Sequence, residues 1–287
     1  MESLDSLRVY SLLSDHAGFG NSFYAQHGLS LLLEATTGKV TKRILLDTGQ
    51  EAEPVLHNMK LLGLDPATVD MVFLSHCHND HTQGLLAMLD AIGKPVPVIA
   101  HPDIFRPNYS SSPSLHAIGM APGTREEILD LGAELILAAD PFPLMDGVLS
   151  TGEIEPITEF EEQGIGTYNL EDGRMTPDFL RDDISLVANV KGKGLVIATG
   201  CSHAGIINIV RQAQRISGVE HVAAVIGGLH LVKASAERIE KTAAAFVEIA
   251  PDQLIAGHCT GFSASFALAQ ALGARFTPLS SGLEITF

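Results

Sequence analysis

Residues Phe73 to Leu85 read FLSHCHNDHTQGL. The apolar run Val69–Ser75 enters this stretch as a buried strand, and the helical pattern Thr82–Ile92 leaves it. His76, His78, Asp80 and His81 therefore fall on the connecting loop. His76 and His78 are two apart, so in extended backbone they project to one side and Cys77 to the other. Asp80 and His81 then face the same cavity as the chain turns into the helix. Imidazole and carboxylate are the donors that borderline divalent ions such as zinc prefer. Four donors packed this closely would strain around one ion. Divided between two ions, with distant residues completing each shell, they make a binuclear centre. A merely polar surface loop is the plain alternative, and the HxHxDH spacing is too specific for it.

Outward from this loop the chain alternates strands and helices. Leu7–Leu13, Leu29–Glu34 and Arg43–Asp47 read as strands joined by hairpins, followed by a helix over Pro54–Leu62 and a strand at Pro95–Ala100. Further strands are expected at Glu134–Ala138, Ile184–Val190, Leu195–Thr199, His221–Ile226 and Gln253–Ala256. Helices are expected at Gly205–Ile216, Ala234–Ile249 and Phe262–Leu272. Two strand-rich blocks, each with helices following, imply two packed sheets covered on both outer faces. No composition break divides residues 1–287, so one domain is expected. The Pro-, Ser- and Gly-rich stretch 102–125 reads as a loop or lid near the site, with a surface insertion as the alternative.

Apolar residues make up 46% and charged residues 18%, as in a globular chain. No apolar run is long enough for a membrane span, and the polar, acidic start MESLDSLRVYSLLSDH is unlike a secretory signal. Together these give a cytoplasmic expectation. The formal net charge of -16 disfavours nucleic acid as a partner and leaves a small-molecule substrate. The three cysteines argue against a disulfide framework. Each stands beside a histidine: Cys77 between His76 and His78, Cys201 before His203, and Cys259 after His258.

The HxHxDH run resembles the signature of the metallo-β-lactamase superfamily, and the resemblance covers most of the chain. It implies an α/β fold, a four-layer αββα sandwich, and two divalent metal ions, with zinc expected and iron or manganese as alternatives. Asp47 in LLDTG matches the superfamily's early aspartate, which sits behind the metal loop. His258 in IAGHCTG matches its last histidine ligand. Where most members carry a bridging aspartate in a TGD turn, this chain reads TGCSH. Cys201 is then either a thiolate ligand or a supporting residue, and His203 is expected to reach the metal. Asp182 and Asp183 stand where they could support or replace a missing middle ligand. AQHGLSLLLE, TGCSHAGI, GGLHL and GHCTG together resemble a narrower group, the archaeal-type dihydropterin ribofuranosylaminobenzene phosphate synthases and their bacterial relatives.

The expected metal ligands are thus His76, His78, Asp80, His81, His203 and His258. Asp80 also orients the nucleophile. In GGLHL the N–H groups around Gly227 and Gly228 are expected to receive a phosphate or polar substrate group, with His230 as proton donor. His27 belongs to the subgroup pattern without an assigned role. His16, His57, His101, His116 and His221 read as structural or surface residues. Hydrolysis of an ester, phosphoester or amide is the default reaction of such a centre. The narrower resemblance implies instead a transferase in which an aromatic carbon displaces pyrophosphate. A metal-containing protein that binds a pterin-like ligand without turnover is the reading from another class.

Overall fold

The computed structural model describes residues 1–161 and 166–287. Strands that are apolar at nearly every position are buried on both faces, since successive side chains point to opposite sides. Leu31 and Leu33 of the strand Ser30–Thr37 join one apolar cluster while Leu32 joins another. Val40–Leu46 repeats the split, with Ile44 and Leu46 in the first cluster and Leu45 in the second. In Gly194–Ala198 the residues Val196 and Ala198 face that same first cluster, whereas Leu195 and Ile197 face a third. The first cluster is the filling between two sheets, and the other two lie under the outer helices.

Two seven-stranded sheets result. The first runs, edge to edge, Glu284–Thr286, Ser6–Leu13, Ser30–Thr37, Val40–Leu46, Met71–Phe73, Pro97–Ala100 and Glu134–Leu137. The second runs Phe276–Pro278, Gln253–Gly257, Val222–Gly228, Gly194–Ala198, Leu186–Val190, Val148–Ser150 and Pro143–Met145. Helices Ala52–Leu61 and Leu85–Ile92 cover the outside of the first sheet through Val55, Met59, Met88 and Ile92. Helices Ile206–Ser217, Ala236–Ile249 and Phe262–Leu272 cover the second through Ile209, Val210, Phe246 and Leu268. This is the expected four-layer sandwich.

Val40–Leu46, Met71–Phe73 and Pro97–Ala100 pair in parallel, as do Gly194–Ala198, Val222–Gly228 and Gln253–Gly257. Ligand sites in such sheets form beyond the carboxyl ends of the parallel strands. Asp47, the His76–His81 loop, Cys201, His203, His230 and His258 all follow those ends.

Two expectations change. The helix expected over Thr82–Ile92 is broken into Asn79–Thr82 and Leu85–Ile92. Gly84 lies between them, and a Cβ there would collide with the Thr48 carbonyl, so the chain turns where it passes closest to the Asp47 loop. The stretch expected as a loop over 102–125 contains strands Asn108–Ser110 and His116–Ala117. They join Thr167–Glu171 and Arg174–Pro177 in a separate four-stranded sheet, in which Asn108–Ser110 pairs with His116–Ala117 on one side and Thr167–Glu171 on the other. Its long-range partner lies far downstream, with Tyr168 opposite Tyr109, which is why local sequence shows only Pro, Ser and Gly there.

Candidate metal centre

The six expected ligands come together from three segments. Asp80, His81, Cys201 and His258 each offer one donor atom, and these atoms lie within 4.8 Å of one another. His76, Cys201 and His203 do the same. Cys201 belongs to both groups. Its Sγ is 3.1 Å from His81 Nε2 and 3.3 Å from His258 Nε2, and those two nitrogens are 3.2 Å apart. His76 Nε2 and His203 Nε2 also meet at 3.2 Å. His78 joins neither group at this spacing, but its ring stands 4.6 Å from that of His76 and 4.8 Å from that of His203. Its Nε2 is buried without a hydrogen-bond partner.

This donor set fits divalent cations. Imidazole nitrogens that face one another compete for the same protons, whereas a cation between them would satisfy both lone pairs. An orphaned buried nitrogen such as His78 Nε2 is rare unless something occupies it. Burial pushes the His76 and His203 imidazoles well below their usual range and His78 down to about 4, which leaves all three neutral and able to ligate. Burial opposes the Asp80 carboxylate, yet His81, His258 and His78 around it hold it well below the ordinary carboxylate range. Burial pushes the Cys201 thiol up. A cation beside it would release its proton.

Carboxylates outside the cluster hold it in place. Asp47, fully buried, accepts from His81 Nδ1 through Oδ2 at 2.6 Å and from Ser75 N through Oδ1 at 2.8 Å. It thereby fixes which ring nitrogen of His81 faces the centre. Gly200 permits this crowding, since a Cβ there would meet the Ser75 hydroxyl and Asp47 Oδ2. Asp182 and Asp183 are supports. Asp182 Oδ2 accepts from Cys77 N at 2.7 Å, and Asp183 Oδ2 accepts from Ala204 N at 2.8 Å. They clamp the backbones of the two ligand loops from behind.

Sequence reading overlooked two residues here. Asp15 accepts from His258 Nδ1 through Oδ1 at 2.7 Å and meets His27 Nδ1 through Oδ2 at 3.0 Å. It does for His258 what Asp47 does for His81, and it gives His27 a place at the mouth of the site. Its position at the end of the first strand, before His16, was the available signal. Arg106 is nearly buried, with its side chain 11% exposed, and pairs with Asp178 and with Asp182 Oδ1 at 2.8 and 2.7 Å. His101 bonds to Glu153 and to Asp103 N, His57 stacks on Tyr24, and His221 pairs with Asp252 at the surface, in keeping with structural or surface roles.

The cluster forms the floor of a cavity of about 840 Å3. His27, His78, Asp80, Cys201, His203, His230 and His258 line it, with Ser110 and His116 of the small sheet opposite. His230 adopts a left-handed φ of 44°, and its ring lies 4.2 Å from that of His203. Its Nδ1 is buried and unpartnered. The expectation for Gly227 and Gly228 does not hold. Both are buried in strand pairing, Gly228 N donates to Gly200 O at 2.8 Å, and His230 N donates to Cys259 Sγ at 3.2 Å. A Cβ at Gly228 would stand 2.6 Å from Cys259 Sγ. The glycines allow close packing of adjacent turns and offer no free N–H to a substrate.

The model of the metallo-beta-lactamase superfamily matches residues 24–164. A 7,8-dihydropterin-6-methyl-4-(beta-D-ribofuranosyl)-aminobenzene-5'-phosphate synthase of Methanocaldococcus jannaschii is 42% identical over 288 residues, covering 99% of this chain and 98% of that protein. The chain belongs to the metallo-beta-lactamase superfamily. Within the superfamily it is similar from end to end to that synthase. A second, uncharacterized protein of the same organism is 32% identical over 91% of the chain. Among solved structures, Tm1679, described as a metal-dependent hydrolase of the beta-lactamase superfamily, superposes with a TM-score of 0.81 at 25% identity, covering 97% of this chain and 98% of that one. Zinc-bound PqqB from Methylobacterium extorquens superposes with a TM-score of 0.59 at 14% identity, which shows the shared fold.

Proposed function

We propose that this superfamily member is a metal-dependent transferase that joins a dihydropterin methyl group to a phosphorylated ribosyl aminobenzene. The observation that carries the reading is Cys201, a thiol shared by both donor groups at the turn where the superfamily pattern usually has an aspartate. A bridging carboxylate can accept a proton from an attacking water. A metal-bound thiolate is a poorer hydrogen-bond acceptor, which retunes the site away from water attack. The end-to-end similarity to the M. jannaschii synthase supports the same direction.

His76, His78, Asp80, His81, Cys201, His203 and His258 would hold two divalent ions, and zinc suits this mixture of imidazole, thiolate and carboxylate. Bound there, the ions would neutralise charge developing on a departing diphosphate. The rest falls to the chain's own residues. The wall bearing His230 orients the aminobenzene. The bond from the pterin methylene to diphosphate oxygen breaks as a bond to the acceptor forms. The amine nitrogen of the aminobenzene, rather than the ring carbon inferred from sequence, is the better acceptor, because its lone pair is available without loss of aromaticity. His230, which lines the cavity, would accept the proton this nitrogen releases, the reverse of the donor role expected from sequence.

A hydrolase is the second reading, favoured by the likeness to Tm1679. The test is incubation of zinc-loaded protein with dihydropterin-methyl diphosphate and the aminobenzene riboside phosphate, read by mass spectrometry. Coupled product with release of diphosphate is expected. Hydrolysed pterin alone, or cleavage of simple phosphoesters at a comparable rate, would make it a hydrolase. Binding of the pterin without any turnover would make it a binding protein. Cys201→Asp is expected to raise phosphoester hydrolysis about tenfold or more while lowering coupling.

A further inference from the structure

The turn that follows His230 carries charge that the metal chemistry does not use. Lys233 and Arg238 are, among the described residues, the only lysine or arginine lining the 840 Å3 cavity. The same two residues, with Ala234, also line an adjoining cavity of about 440 Å3, so they stand where the two spaces meet. Neither forms an ion pair with any described residue. Glu237, the acidic neighbour of Arg238, is taken by Lys241 at 2.7 Å. Glu161, the buried carboxylate facing Arg238, already accepts from Ile207 N, Asn208 N and Thr158 Oγ1. Arg238 Nε is buried and has no hydrogen-bond partner among the described residues. In a chain of net charge -16, two cations on one cavity wall with no ion pair to any described residue form a local exception.

The platform beneath them is fixed. Val232 N donates to Cys259 O at 3.1 Å, which ties the turn to the His258 loop. Ser235 Oγ accepts from Arg238 N at 3.2 Å and starts the helix Ala236–Ile249. A planar guanidinium and an ammonium that line the same cavity wall suit the oxygens of a phosphomonoester dianion.

We propose that Lys233 and Arg238 form an anchoring subsite for the 5'-phosphomonoester of the aminobenzene riboside, a phosphate that takes no part in bond making. The assignment rests on the transferase reading for the identity of the ligand. It places the riboside phosphate on the His230 wall, the side from which the acceptor nitrogen must approach.

The test measures binding rather than turnover, so it stands apart from that reading. Zinc-loaded native protein, Lys233→Ala, Arg238→Lys and the doubly substituted Lys233→Ala, Arg238→Ala chain are titrated calorimetrically. The probes are the riboside phosphate, the same riboside without phosphate, and imidodiphosphate. Native protein is expected to prefer the phosphorylated riboside about tenfold or more. That preference should shrink in each single variant and approach unity in the double variant, while the affinity for imidodiphosphate holds. Lys233 is exposed, so its variant does not depend on repacking. An undiminished preference in the variants, or none in the native protein, would overturn the subsite. Loss of imidodiphosphate binding with the riboside preference intact would reassign these cations to the diphosphate. Failure to form coupled product with the preference behaving as expected would refute the transferase reading alone.

Discussion

The carboxylate of Asp47 and the imidazole of His81 meet at 2.6 Å with no solvent reaching either side chain. Burial opposes a charged imidazole, but Asp80 and Asp47 hold the His81 pKa above its usual range. Without metal, this pair keeps a proton on His81 Nδ1 and presents Nε2 to Cys201 and His258. Asp15 repeats the relationship with His258 from the other side.

Asp47→Asn preserves shape but exchanges an anionic acceptor for a neutral one. Metal affinity is expected to fall about 10- to 100-fold, measured by competition with a zinc chelator, with the far-ultraviolet circular dichroism unchanged. Unaltered affinity would leave Asp47 a packing residue only.

His78→Ala removes an imidazole whose buried Nε2 has no hydrogen-bond partner among the described residues. Elemental analysis should show loss of at least one metal equivalent, and turnover should disappear. Full metal content together with the native rate would remove His78 from the centre.

Arg106→Met leaves Asp178 and Asp182 without their cation. Breaking such a buried network costs about 3–5 kcal/mol, to be read from urea unfolding of the metal-free protein. Because Asp182 also holds Cys77 N, zinc affinity should fall as well. A loss of stability with undiminished affinity would show that Asp182 positions the loop unaided.

Asp183 predicts a pH effect. Burial pushes its carboxyl up to about 8 from an ordinary 3.8, Asp182 adds to the rise, and the bond from Ala204 N opposes it. A group whose pKa is raised by folding contributes stability below its unfolded pKa and loses it as pH rises through the folded one. Metal-free protein should therefore lose that contribution between about pH 4 and pH 8. Asp183→Asn keeps an acceptor for Ala204 N and removes the titration. Its melting temperature should gain on the native chain by several degrees across that window, and a constant difference would refute the assignment.

Much of this was legible in the primary structure. The doubly buried strands declared themselves as unbroken apolar runs, because a strand covered on both faces has no position left for polar side chains. The HxHxDH loop declared its chemistry because four donors so close in sequence have few other uses, and GHCTG and TGCSH each followed a strand end. The sequence by itself therefore determined the layered sheets and the family, and it singled out His76, His78, Asp80, His81, His203 and His258, which the fold gathers at one place. Only the tertiary structure decided what lies between distant segments. It put Cys201 at the intersection of both donor groups, gave Asp15 to His258, turned Gly227 and Gly228 into packing positions, folded part of 102–125 into a sheet, and set Lys233 and Arg238 on the cavity wall. The physical reason is range. Periodicity and ligand spacing are local properties of a chain, whereas an outer carboxylate, a glycine's close approach or an unpaired cation is defined by neighbours on other segments, as Cys259 is for Gly228 and Asp15 for His258.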